Sequence, residues 1–241
     1  MKGKSVLVTG GARRIGREIA LTLAAAGADV AFSYLSSKND AQRTLADLKA
    51  QGVRALALRC DVRVERSVAA ALRQLEAKFG GLDVLVNNAG AYATTDFEKI
   101  TARQWDEMFA INTRGPFLMS RLCVPMLRAR QGRIINIGSL GGLRPWASHP
   151  HYCASKAALV MLTQVTAKAL APEISVNCVS PGMISSSNSQ SAFLRHIARK
   201  TPMKRAGTAA EVAAAVMFFA SGPHFITGQV LGVDGGLGLE S

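Results

Sequence analysis

Aromatic residues are scarce in this chain, at 6% of 241 residues, and acidic ones are outnumbered, 16 against 29 Lys and Arg. No stretch approaches the ~18 uninterrupted apolar residues of a bilayer-spanning helix. The run after Met1–Lys4 is only Val6–Val8, too brief for a secretory leader, so a soluble, cytoplasmic protein is expected. There are four cysteines, Cys60, Cys123, Cys153 and Cys178, with no C-x-x-C pair among them. That spacing argues against a disulfide framework and for buried thiols in a reducing compartment. No Pro/Gly/Ser-rich linker and no internal repeat divides the chain. With 49% hydrophobic residues, disorder is excluded and one domain over residues 1–241 is expected.

The net charge of +13 raises the question of nucleic acid, because clustered cations gain affinity for phosphates by releasing counterions. The basic residues are instead scattered in small groups: Arg13, Arg14 and Arg17; Arg128, Arg130 and Arg133; Arg195 to Arg205. They lack the interleaved aromatics that stack on bases. No nucleic-acid partner is expected, whereas a phosphorylated cofactor or an acidic carrier could use one or two of the groups.

Val- and Ile-rich runs at 5–9, 28–33, 53–59, 82–86, 132–138, 173–179 and 228–233 read as strands. Several are apolar on both faces, as a parallel sheet covered on each side requires. Helical pattern is clear at 15–26, 102–127, 151–171 and 209–220, with Gly27 and Gly80 as stops. The expected fold class is α/β: a doubly wound parallel sheet of about seven strands. The serine-rich stretch Ser185–Ser191 and the amphipathic piece after it suggest a substrate lid at about 183–205.

The first strand runs into Thr9-Gly10-Gly11-Ala12-Arg13-Arg14-Ile15-Gly16, where a helix begins. Glycines there let backbone approach a pyrophosphate, and the helix N-terminus attracts it. The spacing is not G-x-G-x-x-G. The second strand ends at Tyr34-Leu35-Ser36-Ser37 with no acid to bind a ribose 2′-hydroxyl. With Arg13 and Arg14 alongside, this favours NADPH over NADH. Further on, Tyr152-Cys153-Ala154-Ser155-Lys156 sets a phenol and an ammonium one helical turn apart. A nearby cation should draw the phenol pKa down towards an acid/base range. Ser139 follows a strand, thirteen residues before Tyr152, and its hydroxyl could meet a carbonyl oxygen. A Tyr/Lys pair alone is usually surface decoration; beside the glycine turn, Ser139 and the loop Asn87–Gly90, coincidence is a poor explanation. His149 and His151 lack further metal ligands and should rim the pocket or face solvent. Trp105 and Trp146 read as packing residues, with Trp146 near enough to wall a pocket, and Phe218-Phe219 reads as core.

In these motifs, together with Asp61-Val62, Asn112, Pro181-Gly182 and Val233–Gly236, the chain resembles the short-chain dehydrogenase/reductase family over essentially its whole length. The resemblance implies Tyr152 as proton donor and Ser139 as orienter of the carbonyl. Lys156 would serve the phenol and the nicotinamide ribose, and Asn112 would support a water that links the lysine to solvent. It further implies that NADPH is held by Gly10, Arg13, Arg14, Ile15, Gly16, Tyr34, Asp61, Val62, Asn88, Ala89, Gly90, Pro181, Gly182 and Ile184, with Ser186 beside the nicotinamide. The Arg13-Arg14 pair and the short connection Ala171-Pro172-Glu173 resemble the pteridine and dihydromonapterin reductase branch. Serine at 139, where many of that branch carry Asp, and Gly132–Ser139 resemble 3-oxoacyl-[acyl-carrier-protein] reductases. Arg130 falls where those enzymes place a carrier-binding arginine, which makes acyl carrier protein a candidate partner. A homo-oligomer, a tetramer, is implied as well. The alternatives are a pterin or other small-ketone reductase, or a nucleotide-binding regulator without turnover.

Overall fold

Along the first strand, β1 (Ser5–Val8), side chains alternate between two cores: Val6 and Val8 enter one, Leu7 the other. That is the period-two signature of a strand covered on both faces. The computed structural model describes residues 1–185 and 199–239. β2 (Asp29–Tyr34), β3 (Ala55–Arg59), β4 (Val84–Asn87), β5 (Arg133–Ile137), β6 (Ser175–Pro181) and β7 (Val230–Val233) join β1 in one sheet. The order is β3-β2-β1-β4-β5-β6-β7 and every pairing is parallel. The fold is therefore Rossmann-type α/β. The chain reverses its winding between β1 and β4, and a crevice opens there beyond the carboxyl ends of the strands.

Helices α1 (Arg14–Ala25), α2 (Lys38–Ala50), α3 (Glu65–Phe79), α4 (Ala102–Phe109), α5 (Gly115–Arg128), α6 (Pro150–Leu170) and α7 (Ala209–Ser221) cover the faces. One core layer joins Ile19 and Leu23 of α1 to Val212, Val216 and Phe219 of α7. The other joins Leu75 of α3 to Met119, Cys123 and Leu127 of α5. Gly27 and Gly80 follow α1 and α3 with φ of +86° and +73°, as expected of helix stops. No helix among the described residues is long and apolar enough to cross a membrane.

Several expectations need correction. The single helix read over 102–127 is α4 and α5 joined by a π-helical turn, Ala110–Arg114. Phe218 is half exposed while Phe219 is buried, because neighbours on a helix point about 100° apart and α7 buries one face. Cys60, Cys123 and Cys178 are buried free thiols, but Cys153 is only partly covered. Most of the lid at 183–205, including Ser186, lies outside the described residues.

Candidate active site

The glycine turn is built by exclusion. A Cβ on Gly16 would stand 2.4 Å from both Asn88 Nδ2 and the Gly10 carbonyl oxygen, and Gly10 itself has φ +64°. Asn88 braces the turn, its amide donating to the carbonyls of Thr9 (2.9 Å) and Gly10 (3.2 Å). Beyond the turn lies a cavity of about 590 Å³, lined by Gly10, Arg13, Arg14, Ile15, Gly16, Tyr34, Ser36, Ser37, Asp61, Val62, Asn88, Ala89 and Gly90, among others. The structure thus gathers most of the expected cofactor residues around one cavity. Arg13 and Arg14 are exposed and make no side-chain ion pair among the described residues. Arg14 holds φ +52°, a left-handed conformation that favours glycine.

Asp61 is gripped by a residue that the sequence reading missed. Arg63 Nε donates to Asp61 Oδ1 (2.9 Å) and its Nη2 to Oδ2 (2.8 Å), holding the carboxyl below its usual range. The same guanidinium reaches Glu107 on α4 at 3.2 Å. An arginine two residues after an aspartate at a strand end was the available signal.

Tyr152, Ser155 and Lys156 project from the first turns of α6 and are all buried. Ser139 follows β5; its Oγ accepts the Gly141 N–H at 3.1 Å, and its hydroxyl stands near enough to the Tyr152 phenol to favour the ionised form. The phenol pKa is raised, opposite to the shift expected from the lysine. Burial is the largest cause, and the neighbouring Ser139 hydroxyl offsets only part of it. Lys156 is fully enclosed, which pushes its pKa down to about 8, and its Nζ donates to the Ile137 carbonyl at 2.8 Å.

Asn112, at the centre of the π turn, is fully buried. Its Oδ1 accepts the Ala91 N–H (2.8 Å) and its Nδ2 lies within donor range of the Ala91 carbonyl (3.0 Å) and Ser155 Oγ (3.0 Å). It ties the loop after β4 to α6. Gly90 belongs to both regions: it lines the cavity, and a Cβ there would come within 3.3 Å of Asn112 Oδ1 and 3.6 Å of Lys156 Nζ. Pro181, Gly182 and Ile184 lie outside the cavity lining. Gly182 N–H donates to Val233 O at 3.0 Å, leaving no room for a Cβ beside Asp234, and Ile184 bridges to Gly207.

The two histidines part company. His149 packs on Tyr92 (ring centroids 4.8 Å apart), whereas His151 is buried with Nδ1 unpartnered, neither rim nor solvent. Trp105 stacks on Phe109 at the surface, and Trp146 lies near-parallel to Tyr152 at 6.3 Å. Tyr92, which the sequence reading passed over, stands edge-on to Tyr152 at 4.9 Å. Arg130 follows α5, at the amino ends of the strands, whereas the cavity lies beyond their carboxyl ends. It is ion-paired with Asp83 and donates to the Gly80 carbonyl, so it does not border the cleft.

A family model described as Enoyl-(Acyl carrier protein) reductase matches residues 10–238. A 3-oxoacyl-[acyl-carrier-protein] reductase, FabG, of Staphylococcus epidermidis is 38% identical over 240 residues, 97% of this chain and 98% of the relative. A short-chain dehydrogenase/reductase from Serratia marcescens BCRC 10948 superposes with a TM-score of 0.93 at 36% identity, covering 98% of each chain. A blue fluorescent protein from a metagenomic library, solved in complex with NADPH, gives 0.92 at 36% identity and the same coverage.

Proposed function

We infer that this chain, which belongs to the short-chain dehydrogenase/reductase family of oxidoreductases, reduces a carbonyl to an alcohol with NADPH. The observation that carries the reading is a buried phenol beside the buried Ser139 hydroxyl and one helical turn from a buried lysine. A glycine turn shaped for pyrophosphate lies beyond Gly90.

The residues suit the cofactor. The turn Gly10–Gly16 and the α1 N-terminus would take the pyrophosphate. Arg13 and Arg14, with neutral Tyr34, Ser36 and Ser37, would take a 2′-phosphate. Asp61 and Val62 would border the adenine; Asn88, Ala89 and Gly90, then Pro181, Gly182 and Ile184, would follow the molecule to its nicotinamide. When bound, NADPH supplies a hydride to the carbonyl carbon.

The chain's own residues manage the proton. Tyr152, with its pKa raised by burial, keeps its proton at neutral pH and hands it to the carbonyl oxygen as negative charge develops there. Ser139 Oγ hydrogen-bonds the same oxygen. Lys156, with a pKa near 8, is charged at neutral pH and stabilises the phenolate left behind. Asn112 is a positioning residue: it pins the Gly90–Ala91 loop against α6, so that the lysine and the cofactor cavity keep their spacing.

For the substrate, the relatives' names point to a 3-oxoacyl thioester on acyl carrier protein. A second reading, reduction of a ring C=N bond in a pterin or of the carbonyl of another small ketone, is favoured by the Arg13-Arg14 turn and by the engagement of Arg130 away from the cleft. Self-association into a tetramer is supported by exposed Phe117, Met161 and Val165 on α5 and α6 and Leu231 on β7; a monomer by light scattering at micromolar concentration rejects it. The main reading is tested by NADPH absorbance with acetoacetyl thioester, dihydropterin and simple ketones. At least one should consume NADPH, and Tyr152→Phe should slow it by ~10²–10⁴-fold while NADPH binding persists. Near-normal turnover in that variant refutes the mechanism.

A further inference from the structure

We propose that the aromatic cluster around Tyr152 selects a carbonyl borne on a flat conjugated ring, an aryl or fused-ring ketone, over one on a linear acyl chain. Tyr92 and Trp146 are its specificity-determining residues. The inference rests on the carbonyl-reduction reading and deepens it by naming the substrate class.

The chain has only three tyrosines and two tryptophans, yet two of the former and one of the latter meet here. Tyr92 stands edge-on to Tyr152 with interplanar angle 80°, and Trp146 lies within 15° of parallel to it. His149 links the set, 4.8 Å from Tyr92 and 5.8 Å from Trp146. These separations fall in the range at which aromatic rings attract in edge-to-face or offset arrangements.

The cluster is built rather than incidental. Trp146 lies over Gly141, where a Cβ would stand 3.1 Å from indole carbons, so glycine gives the indole its seat. Both imidazole nitrogens of His149 are engaged, Nε2 with Thr94 Oγ1 at 2.9 Å and Nδ1 with Ser148 Oγ at 2.8 Å. The Thr95 N–H donates to the Ser148 carbonyl at 3.1 Å, zipping the loop after β4 to the segment before α6. Burial, and the neighbouring His151, push the His149 pKa below its ordinary value, so the imidazole stays uncharged at neutral pH. Tyr92 nevertheless leaves 59% of its surface open. An oriented, uncharged aromatic face beside the proton donor adds quadrupolar attraction for a planar ring, whereas a flexible chain gains only area.

The test uses the enzyme with NADPH and three substrates: 2-acetylnaphthalene, its fully saturated counterpart, and acetoacetyl thioester. The naphthyl ketone should have the lowest KM. Tyr92→Leu and Trp146→Leu should each cut kcat/KM for it by roughly threefold to tenfold relative to the saturated ketone, mainly through KM. Trp146→Phe should recover most of the loss. Titration with 2-acetylnaphthalene should quench tryptophan emission in the native protein and much less in Trp146→Leu. Equal losses for both ketones in the variants would overturn the proposal, as would turnover of the thioester alone without quenching. If none of the three consumes NADPH, the carbonyl-reduction reading fails, and the quenching titration decides the ring site separately.

Discussion

Arg14 offers a test in which stability and affinity move in opposite directions. Its φ of +52° costs a non-glycine residue about 1–2 kcal/mol, and its exposed side chain has no packing to lose. Arg14→Gly removes that strain but frees the unfolded chain, at about 0.4–1 kcal/mol. The net gain is about 0.5–1 kcal/mol, or a Tm rise of roughly 1–4 °C for a chain of this size. The same change removes a cation proposed to meet the 2′-phosphate, where a charge-assisted hydrogen bond is worth about 1.5–3 kcal/mol. NADPH affinity should then fall roughly tenfold to a hundredfold while NADH affinity changes little. Arg14→Ala is the control: it loses the cation and keeps the strain, so it should bind NADPH as weakly as the glycine variant without the rise in Tm. Calorimetry of the protein alone and fluorescence titration with the two nucleotides measure both arms. A glycine variant no more stable than the alanine one would refute the strain argument. Unchanged NADPH affinity would refute the assignment of the 2′-phosphate.

Gly16→Ala should abolish nucleotide binding by titration, since its Cβ would meet Asn88 Nδ2 and Gly10 O at 2.4 Å and a backbone carbonyl cannot swing aside. Lys156→Met should show the lysine's linkage to stability. The folded pKa of about 8 lies below the ordinary 10.5, so between those values the unfolded chain holds more protons than the folded one. The native protein should therefore gain stability relative to Lys156→Met as pH rises from 8 to 10.5, by up to roughly 3 kcal/mol in chemical denaturation; a flat difference across that window contradicts the buried charge. Asn112→Ala strands the Ala91 N–H and should cost about 1–3 kcal/mol by denaturation, with a larger loss of kcat than of NADPH affinity.

Much of the fold was legible because both faces of the sheet are covered: runs such as Val84–Val86 and Ile134–Ile135 have no solvent face to interrupt them. Strand ends were less so. The run 53–59 begins in the sheet only at Ala55, because Val53 and Arg54 still belong to the approach from α2. Helices α2 and α3 are faint in the sequence, since their polar outer faces dilute the apolar pattern. In the site, Tyr152 and Lys156 declared themselves through helical spacing, and the glycine turn through its place after β1. Asn112 gave no local signal; its importance comes from Ala91 and Ser155, partners that only the fold brings near. The same holds for Tyr92, which meets Tyr152 from another loop. The direction of the tyrosine shift was missed because a neighbouring cation can be read from sequence, whereas burial that outweighs it cannot.

The π turn at Ala110–Arg114 makes the join between α4 and α5 depend on residue count as well as on residue type. A π turn amounts to one surplus residue in an otherwise regular helix. Deleting a single residue from that segment, even one that leaves Asn112 present, would let the rod close into an uninterrupted α-helix. Everything on the α4 side would then rotate by about 100°. Glu107 would turn away from Arg63, while Asn112 could keep its place only by breaking the new helix. Insertions and deletions in this stretch should accordingly be far harsher than substitutions, since the segment is a molecular spacer whose length sets the phase between Glu107, held by Arg63, and Asn112, held by Ala91 and Ser155.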